Sequence, residues 1–240
     1  RHNAPRGLAK AKEYAARAPE SAPIQIYLGQ LLLAGGNLEQ ARSSFLAARS
    51  ADPKSSQPDL ALTQVDYRER KYDDARVRLE GILSTNPNDS TALLWMGIIE
   101  QVMGDRLKAI GYYRKVVASN PDEAQACNNL AYLLTDEGGS DLDEALKYAQ
   151  RATELAPQSS AYADTLGWIL YRRGLYSSAV KYLQQAGANS GDVRWMYHLA
   201  MAYAKAGDYA HSQTTLVAAL KTNSNVPEAK LAVEVVQASH

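Results

Sequence analysis

A regular spacing of prolines is the feature of this sequence that most restricts its fold. Pro19, Pro53, Pro87 and Pro121 are each 34 residues apart, and Pro157 follows 36 residues later. A fixed period of roughly 20 to 50 residues indicates a repeat architecture, in which one short structural unit recurs along the chain. Taking each proline as position 32 of a repeat predicts six repeats, which start at Ala22, Ser56, Ser90, Ala124, Ser160 and Val193.

Residue size also recurs within these repeats. Position 7 is large and aliphatic in all six, and position 8 carries Gly29, Thr63, Gly97, Ala131, Gly167 and Ala200. Position 15 carries Gly36, Arg70, Gly104, Gly138, Gly174 and Gly207. Because glycine adopts the left-handed conformation that ends many helices, position 15 predicts a turn between two helices. The small residues at position 8 would then let those two helices approach closely.

Composition supports an all-helical chain and argues against two kinds of partner. Good helix formers are abundant, Phe45 is the single phenylalanine, and runs of valine and isoleucine are missing. Lys plus Arg and Asp plus Glu number 26 each, so no net charge attracts nucleic acid or an anionic membrane surface. The sequence also lacks an apolar run long enough for a transmembrane helix. We therefore expect neither nucleic acid binding nor membrane insertion.

The repeated positions resemble the tetratricopeptide repeat (TPR) superfamily, which has Leu at 7, a small residue at 8, Ala at 20 and 27, and Pro at 32. This resemblance implies an all-α fold, a right-handed α-solenoid of helix-turn-helix repeats. Residues 1–240 are expected to form one solenoid, and the chain, which opens on Arg in mid-repeat, is expected to be a piece of a larger bacterial protein. The predicted divisions are a half repeat 1–21, repeats 22–55, 56–89, 90–123, 124–159, 160–192 and 193–226, and a terminal helix 227–240.

No catalytic motif stands out. The chain has no Walker loop, no Gly-x-Gly-x-x-Gly fingerprint and no His-Glu-x-x-His pair. Its single cysteine, Cys127, is expected to be a small buried side chain rather than a reactive thiol. The histidines lack ligand-type partners at helical spacing, so no metal site is expected. We expect no cofactor and no enzymatic activity.

The resemblance implies a groove that binds another protein or an extended peptide. In TPR proteins, first-helix positions 2, 5, 6, 9, 12 and 13 line this groove, and Asn129 matches the position 6 asparagine that holds a ligand backbone in some relatives. The candidate groove residues are Tyr27, Gln30, Gln64, Tyr67, Arg68, Trp95, Ile98, Asn128, Asn129, Tyr132, Asp164, Trp168, Tyr171, Arg172, Tyr197, His198 and Lys205. For each aromatic residue, filling space between adjacent first helices is an open alternative.

Three functions stay open at this point. The first is a non-catalytic protein interaction scaffold, although the set of basic and amide residues that clamps acidic chaperone tails is missing. The second is a structural spacer or a module that self-associates through the solenoid ends. The third is a regulatory segment of an enzyme whose catalytic part lies outside this chain. The segments NNLAYLL and DTLGWILYRRG resemble bacterial TPR proteins of exopolysaccharide export and the cell envelope, which favours the periplasm or envelope over the cytoplasm.

Overall fold

The computed structural model describes residues 4–135, 141–187 and 192–239, and this part of the chain forms α-helices and no strand. The prediction of an all-α chain is confirmed. The turn predicted at Gly138 lies outside the described residues. The helices are α1 (Ala4–Arg17), α2 (Ala22–Ala34), α3 (Leu38–Ala51), α4 (Gln57–Arg68), α5 (Tyr72–Thr85), α6 (Ser90–Met103), α7 (Arg106–Ser119), α8 (Ala124–Thr135), α9 (Leu142–Leu155), α10 (Ser160–Arg172), α11 (Tyr176–Gly187), α12 (Arg194–Lys205), α13 (Tyr209–Thr222) and α14 (Pro227–Gln237).

The chain divides into two compact units, unit 1 at Arg1–Lys115 and unit 2 at Val116–His240. Within unit 1, α2 packs on α3, α4 packs on α5, and α4 also contacts both α2 and α6. Within unit 2, the pairs are α8 with α9, α10 with α11 and α12 with α13. Helix α10 contacts α8 and α12, and α14 packs on α12 and α13. Each unit therefore has a row of first helices, and the assignment of residues 1–240 to one solenoid stays a prediction.

The linkers that carry the periodic prolines share one hydrogen-bonded turn. The amide of Ser55 donates to the carbonyl of Asp52 at 3.3 Å, and the amide of Asp89 donates to that of Asn86 at 3.1 Å. Proline follows the acceptor residue in each turn, where its fixed φ suits the bend. Asp52 has φ −136° and Asn86 has φ −134°, so both have left the helical conformation, as predicted. The same turn recurs at Ala18–Ser21, Asn120–Glu123 and Ala156–Ser159.

The turn between the two helices of a repeat is the same in the five repeats where the structure describes it. Position 15 has φ between 77° and 87° at Gly36, Gly104, Gly174 and Gly207, and Arg70 adopts φ 60° in the equivalent place. The next amide donates back five residues, for example from Asn37 to Leu32 at 2.9 Å. This Schellman arrangement satisfies carbonyls at the helix end that would otherwise lack donors. The predicted left-handed turn at position 15 is confirmed for these five repeats.

The small residues at position 8 lie against large ones at position 24. A Cβ built on Gly29 would lie 2.4 Å from Cε1 of Phe45, and one on Gly97 would lie 2.5 Å from Cε1 of Tyr113. At Gly167 the corresponding distance to Cγ of Leu183 is 2.6 Å. Real Cβ atoms do not approach other heavy atoms this closely, so these helix pairs depend on the missing side chain. The close approach predicted from position 8 is confirmed.

Replacing Gly167 by Leu should lower the free energy of unfolding by about 1–3 kcal/mol, because the added carbons overlap Leu183. The matched control is Gly81→Leu, since Gly81 lies within α5 and has no heavy atom within 4 Å of a built Cβ. This control should raise stability by about 0.5–1 kcal/mol through helix propensity. Urea denaturation measures both. Equal stability of the Gly167 variant and the parent would contradict the packing described above.

An ion network holds α4 between its neighbours in unit 1. Asp66 is fully buried at position 11, where the family pattern has an aromatic residue. Its Oδ1 lies 2.6 Å from Nη2 of Arg42 on α3, and its Oδ2 lies 3.1 Å from Nε of Arg78 on α5. Arg42 also bonds Glu69 at 2.8 Å. Burial works against the charge of Arg42, but the hydrogen bonds to Asp66 and Glu69 outweigh it and raise its pKa.

Replacing Asp66 by Ala should lower the free energy of unfolding by about 3 kcal/mol, because two partly buried guanidiniums lose their shared partner. Asp73→Ala is the control. Asp73 pairs with Arg76 at 3.0 Å but its side chain is 78% exposed, and such a pair contributes at most about 1 kcal/mol. Chemical denaturation in low salt should separate the two variants. A similar small effect for both would show that the buried network does not stabilise unit 1.

Candidate functional site

The first-helix surface of unit 1 mixes exposed side chains with rings that fill space. Tyr27 on α2 is 53% exposed, and Gln30 beside it is exposed. Tyr67 on α4 and Trp95 on α6 are half-buried, and their rings meet edge-on with centroids 5.7 Å apart. Both rings pack against the hydrophobic core of unit 1. The space-filling alternative therefore describes Tyr67 and Trp95.

The remaining candidates of unit 1 are Gln64, Arg68 and Ile98. Gln64 and Ile98 are half-buried on α4 and α6. Arg68 is exposed, but its Nη1 donates to the carbonyl of Leu33 at 2.7 Å. This bond ties α4 to the last turn of α2 and supplies a donor to a terminal helix carbonyl. Three of the seven candidates in unit 1 therefore have a specific contact within the protein, namely Tyr67, Trp95 and Arg68.

Unit 2 holds a column of aromatic rings. The rings of Trp168 and Tyr171 stack with centroids 5.0 Å apart and an interplanar angle of 11°. Trp168 also stacks on His198 of α12, at 4.3 Å and 20°. Tyr176 of α11 continues the column, 5.6 Å from Tyr171. Burial raises the pKa of the Tyr171 phenol, which keeps it neutral. The column fixes these rings in place between α10, α11 and α12.

Asp164 on α10 orients the buried end of the column. Its Oδ1 lies 2.8 Å from Nδ1 of His198, which is 6% exposed. With Nδ1 protonated, the imidazole donates to this carboxylate. The Asp164 side chain is 25% exposed, and its Oδ2 has no hydrogen bond with the residues that the structure describes. One carboxylate oxygen therefore stays able to accept from another molecule.

Two amides on α8 lie on the same side of unit 2. The side chain of Asn128 is nearly buried, with 9% exposure, and its Nδ2 lies 3.4 Å from Oδ1 of Asn129. The Asn128 Oδ1 is buried and has no hydrogen bond partner among the described residues. Such an unsatisfied acceptor costs about 1–3 kcal/mol. The long hydrogen bond between the two side-chain amides is the local alternative for this pair, and it involves the nitrogen of Asn128 rather than its buried oxygen.

Three exposed candidates complete this surface. Tyr132 on α8 is 38% exposed. Arg172 and Lys205 are exposed in the last turns of α10 and α12, and neither forms an ion pair with a described residue. Cations at helix C-termini are favoured by the helix dipole, which is the ordinary explanation for both. We define the unit 2 face as Asn128, Asn129, Tyr132, Asp164, Trp168, Tyr171, Arg172, His198 and Lys205.

Tyr197 corrects the predicted groove. It is fully buried in the core of unit 2, packed with Val193 and Met201, and its hydroxyl donates to the carbonyl of Asn223 at 2.6 Å. The buried position follows from the packing of α12 against α14 and the chain after α13. Tyr176, in contrast, was missed by the sequence analysis because it lies on a second helix, and the groove pattern covers first helices alone.

Cys127 is a buried free cysteine of unit 2. Cys127 is 1% exposed, its Sγ lies 3.5 Å from the carbonyl oxygen of Pro121, and burial raises the pKa of the thiol. The predicted buried cysteine is confirmed. In the described ranges, no three His, Cys, Asp or Glu side chains come together as metal ligands. None of the described helices has the length and apolar character needed to cross a bilayer.

The stacked helix pairs, the shared turns and the first-helix surface define a helical-repeat protein. The family model described as "Tetratricopeptide repeat" matches residues 1–56, 96–160 and 137–193. The chain belongs to the tetratricopeptide repeat family. It resembles a chain in the crystal structure of the APC/C hetero-tetramer Cut9–Hcn1, with a TM-score of 0.80, 18% identity and coverage of 95% of this chain and 45% of that one. The predicted family and α-solenoid fold class are confirmed.

Two curated relatives are much longer than the part that matches this chain. The TPR repeat-containing protein PA4667 of Pseudomonas aeruginosa is 31% identical over 186 residues, 72% of this chain and 30% of the relative. The probable biofilm formation methyltransferase WspC of Pseudomonas putida is 31% identical over 85 residues, 35% of this chain and 20% of the relative. The chain therefore spans less than a third of the length of either relative. TPR proteins commonly mediate protein–protein interactions, generally as non-enzymatic scaffolds.

Replacing Tyr197 by Phe should lower the free energy of unfolding by about 1 kcal/mol, through loss of the hydrogen bond to Asn223. Because the residue lies in the core, the same change should leave ligand binding unaltered. Thermal denaturation tests the first expectation, and the binding assay described below tests the second. A change in ligand affinity without a change in the free energy of unfolding would show that Tyr197 belongs to the binding surface and not to the core.

Proposed function

We propose that the chain is a non-catalytic scaffold that binds an extended segment of another protein on the unit 2 face. The observation that carries this proposal is the partly exposed Asp164 carboxylate, which has one oxygen without a hydrogen bond among the described residues. Asp164 lies on α10, and the adjacent amides of Asn128 and Asn129 lie on α8, a first helix that contacts α10. A peptide supplies N–H donors along its whole backbone, so it is a suitable ligand for such a surface.

The aromatic column supports the same proposal. Stacking holds Trp168 and Tyr171 in fixed positions before any ligand arrives, so their ordering costs little entropy on binding. Tryptophan, tyrosine and arginine are also the residues that contribute most at protein interfaces. The unit 2 face has all three residue types, and it also has the Asp164 carboxylate with one oxygen free of hydrogen bonds to described residues, a group that the unit 1 candidates lack. We therefore assign binding to unit 2.

The relatives favour one further candidate. The probable methyltransferase WspC shares 31% identity with 85 residues of this chain, which make up 20% of that protein. A TPR segment joined to an enzyme could position the enzyme by binding a partner. In that case the chain would regulate catalysis performed by another domain, and the binding surface proposed above would be the same.

For the compartment we propose the periplasm or cell envelope, which a compartment-specific reporter fusion would test.

Selection from a display library of random peptides, followed by fluorescence polarisation, tests the proposed function. The variant Asn129→Ala, Trp168→Ala, Arg172→Ala should bind selected peptides at least about tenfold more weakly, a loss of about 1.4 kcal/mol. The matched control is Tyr209→Ala, since Tyr209 is an exposed aromatic on α13, outside the unit 2 face. Circular dichroism checks that both variants fold.

The outcomes separate the proposed functions. Peptides that bind the triple variant and the parent equally would remove the unit 2 face from consideration. A failure to select any peptide, together with a mass that rises with concentration in sedimentation velocity, would favour the self-association alternative. Loss of binding in the triple variant alone would support the scaffold.

A further inference from the structure

We infer that the unit 2 face selects an extended peptide with a cationic and an anionic side chain four residues apart and an apolar side chain midway between them. This inference rests on the proposed function and adds the chemistry of the ligand. The observations that carry it are the separation of opposite charges along α10 and the Asp164 carboxylate oxygen that has no hydrogen bond with a described residue.

Asp164, Trp168 and Arg172 form one ridge on α10. Each is four residues from the next, and residues at this spacing follow a continuous row along a helix surface. At about 1.5 Å of rise per residue, Asp164 and Arg172 are about 12 Å apart along the axis. Helical ion pairs form between residues three or four apart, so these two charges do not neutralise each other. The ridge therefore presents an anion, an indole and a cation in sequence.

The neighbouring helices add to each end of this ridge. At the Asp164 end, Asn128 has the same repeat position on α8 and adds an amide side chain. At the Arg172 end, Lys205 occupies the last turn of α12 as Arg172 does on α10. One end is thus rich in acceptors and the other in cations. An ammonium or guanidinium suits the first end because it has several N–H donors, and a carboxylate suits the second.

The geometry of an extended peptide matches this arrangement. A strand rises about 3.3 Å per residue and its side chains alternate between two sides, so residues i, i+2 and i+4 share one side. Charges at i and i+4 are therefore about 13 Å apart, close to the spacing on α10, and residue i+2 faces Trp168. Charges at i and i+3 lie about 10 Å apart and on opposite sides. A spacing of four should be preferred over three for this reason.

Neither charge is expected to dominate the affinity. An exposed ion pair contributes about 0–1 kcal/mol, and the two pairs act together with the apolar contact at Trp168. The separation of charges in the ligand therefore contributes more to the choice between peptides than to the affinity for any one of them. A peptide with two cations or two anions loses one pair and places like charges together at one end, and a peptide with the wrong spacing loses at least one pair.

Fluorescence polarisation with three synthetic peptides of equal composition tests the spacing. Their cores are Lys-Ser-Leu-Ser-Glu, the reverse order Glu-Ser-Leu-Ser-Lys, and Lys-Ser-Leu-Glu-Ser. At least one of the first two should bind about fivefold or more tightly than the third. With a spacing of four, both peptide charges can reach their partners on the ridge. Two orders are included because the peptide backbone, and not the charge spacing, sets the direction in which the peptide lies. Equal affinity for all three peptides, or binding by none of them, would overturn the inference.

A charge swap tests the roles of the cations directly. The variant Arg172→Glu, Lys205→Glu should lose binding of the preferred Lys/Glu peptide about tenfold and gain binding of Lys-Ser-Leu-Ser-Lys. The control is Arg173→Glu, since Arg173 is one residue off the ridge and pairs with Asp143 at 2.8 Å. A merely stabilising role for these cations at the helix ends predicts no such gain.

The two proposals can fail separately. Library peptides that lose binding in the Asn129, Trp168 and Arg172 triple variant, yet show no preference for charge spacing and no charge-swap rescue, would leave the scaffold function in place and overturn the ligand assigned here. An absence of any selected peptide would overturn both.

Discussion

The contact between position 8 and position 24 is the interaction on which the rest of this structure depends. Gly29, Gly97 and Gly167 lie so close to Phe45, Tyr113 and Leu183 that a single added carbon would clash. The helices are 11 to 14 residues long, a length that is marginal in isolation. Their stability comes from the packing of a large side chain of one helix against a glycine or another small residue of the partner helix. Pairing, stacking and a shared first-helix surface follow from this fit.

Two kinds of turn recur along the chain and give successive helix pairs the same geometry. In five repeats the left-handed residue at position 15 ends the first helix with the same backward hydrogen bond, and a proline turn with its own hydrogen bond follows α1, α3, α5, α7 and α9. Asn128 and Asp164 share one repeat position on α8 and α10, and the unit 2 face is built from first-helix positions of α8, α10 and α12. The equivalence is not complete, since Tyr197 has the same position on α12 and is buried in the core. Arg70 shows that the turn is imposed by the fold, since a non-glycine residue adopts it at φ 60°.

Much of the candidate surface could be placed from the sequence, but its contacts could not. The repeat pattern put Trp168, Tyr171 and Asp164 on first helices, where the structure has them. It gave no indication that Trp168 stacks on His198, or that Tyr176 joins the column from a second helix. The charged network at Asp66 was missed for the same reason, because its partners come from α3 and α5. Contacts between side chains of different helices depend on their separation and rotation, and a one-dimensional pattern contains neither.

The sequence by itself determined the helix pairs, the two turns and the family, since each depends on residues within about one repeat: a glycine at a left-handed position, a proline after a helix end, a small residue facing a large one. The tertiary structure decided which candidate side chains are open to another molecule. Tyr132 and Tyr197 come from the same predicted groove, yet one is 38% exposed and the other fully buried. Exposure depends on what packs against a residue from elsewhere in the chain, and for Tyr197 the chain after α13 supplies its hydrogen bond acceptor.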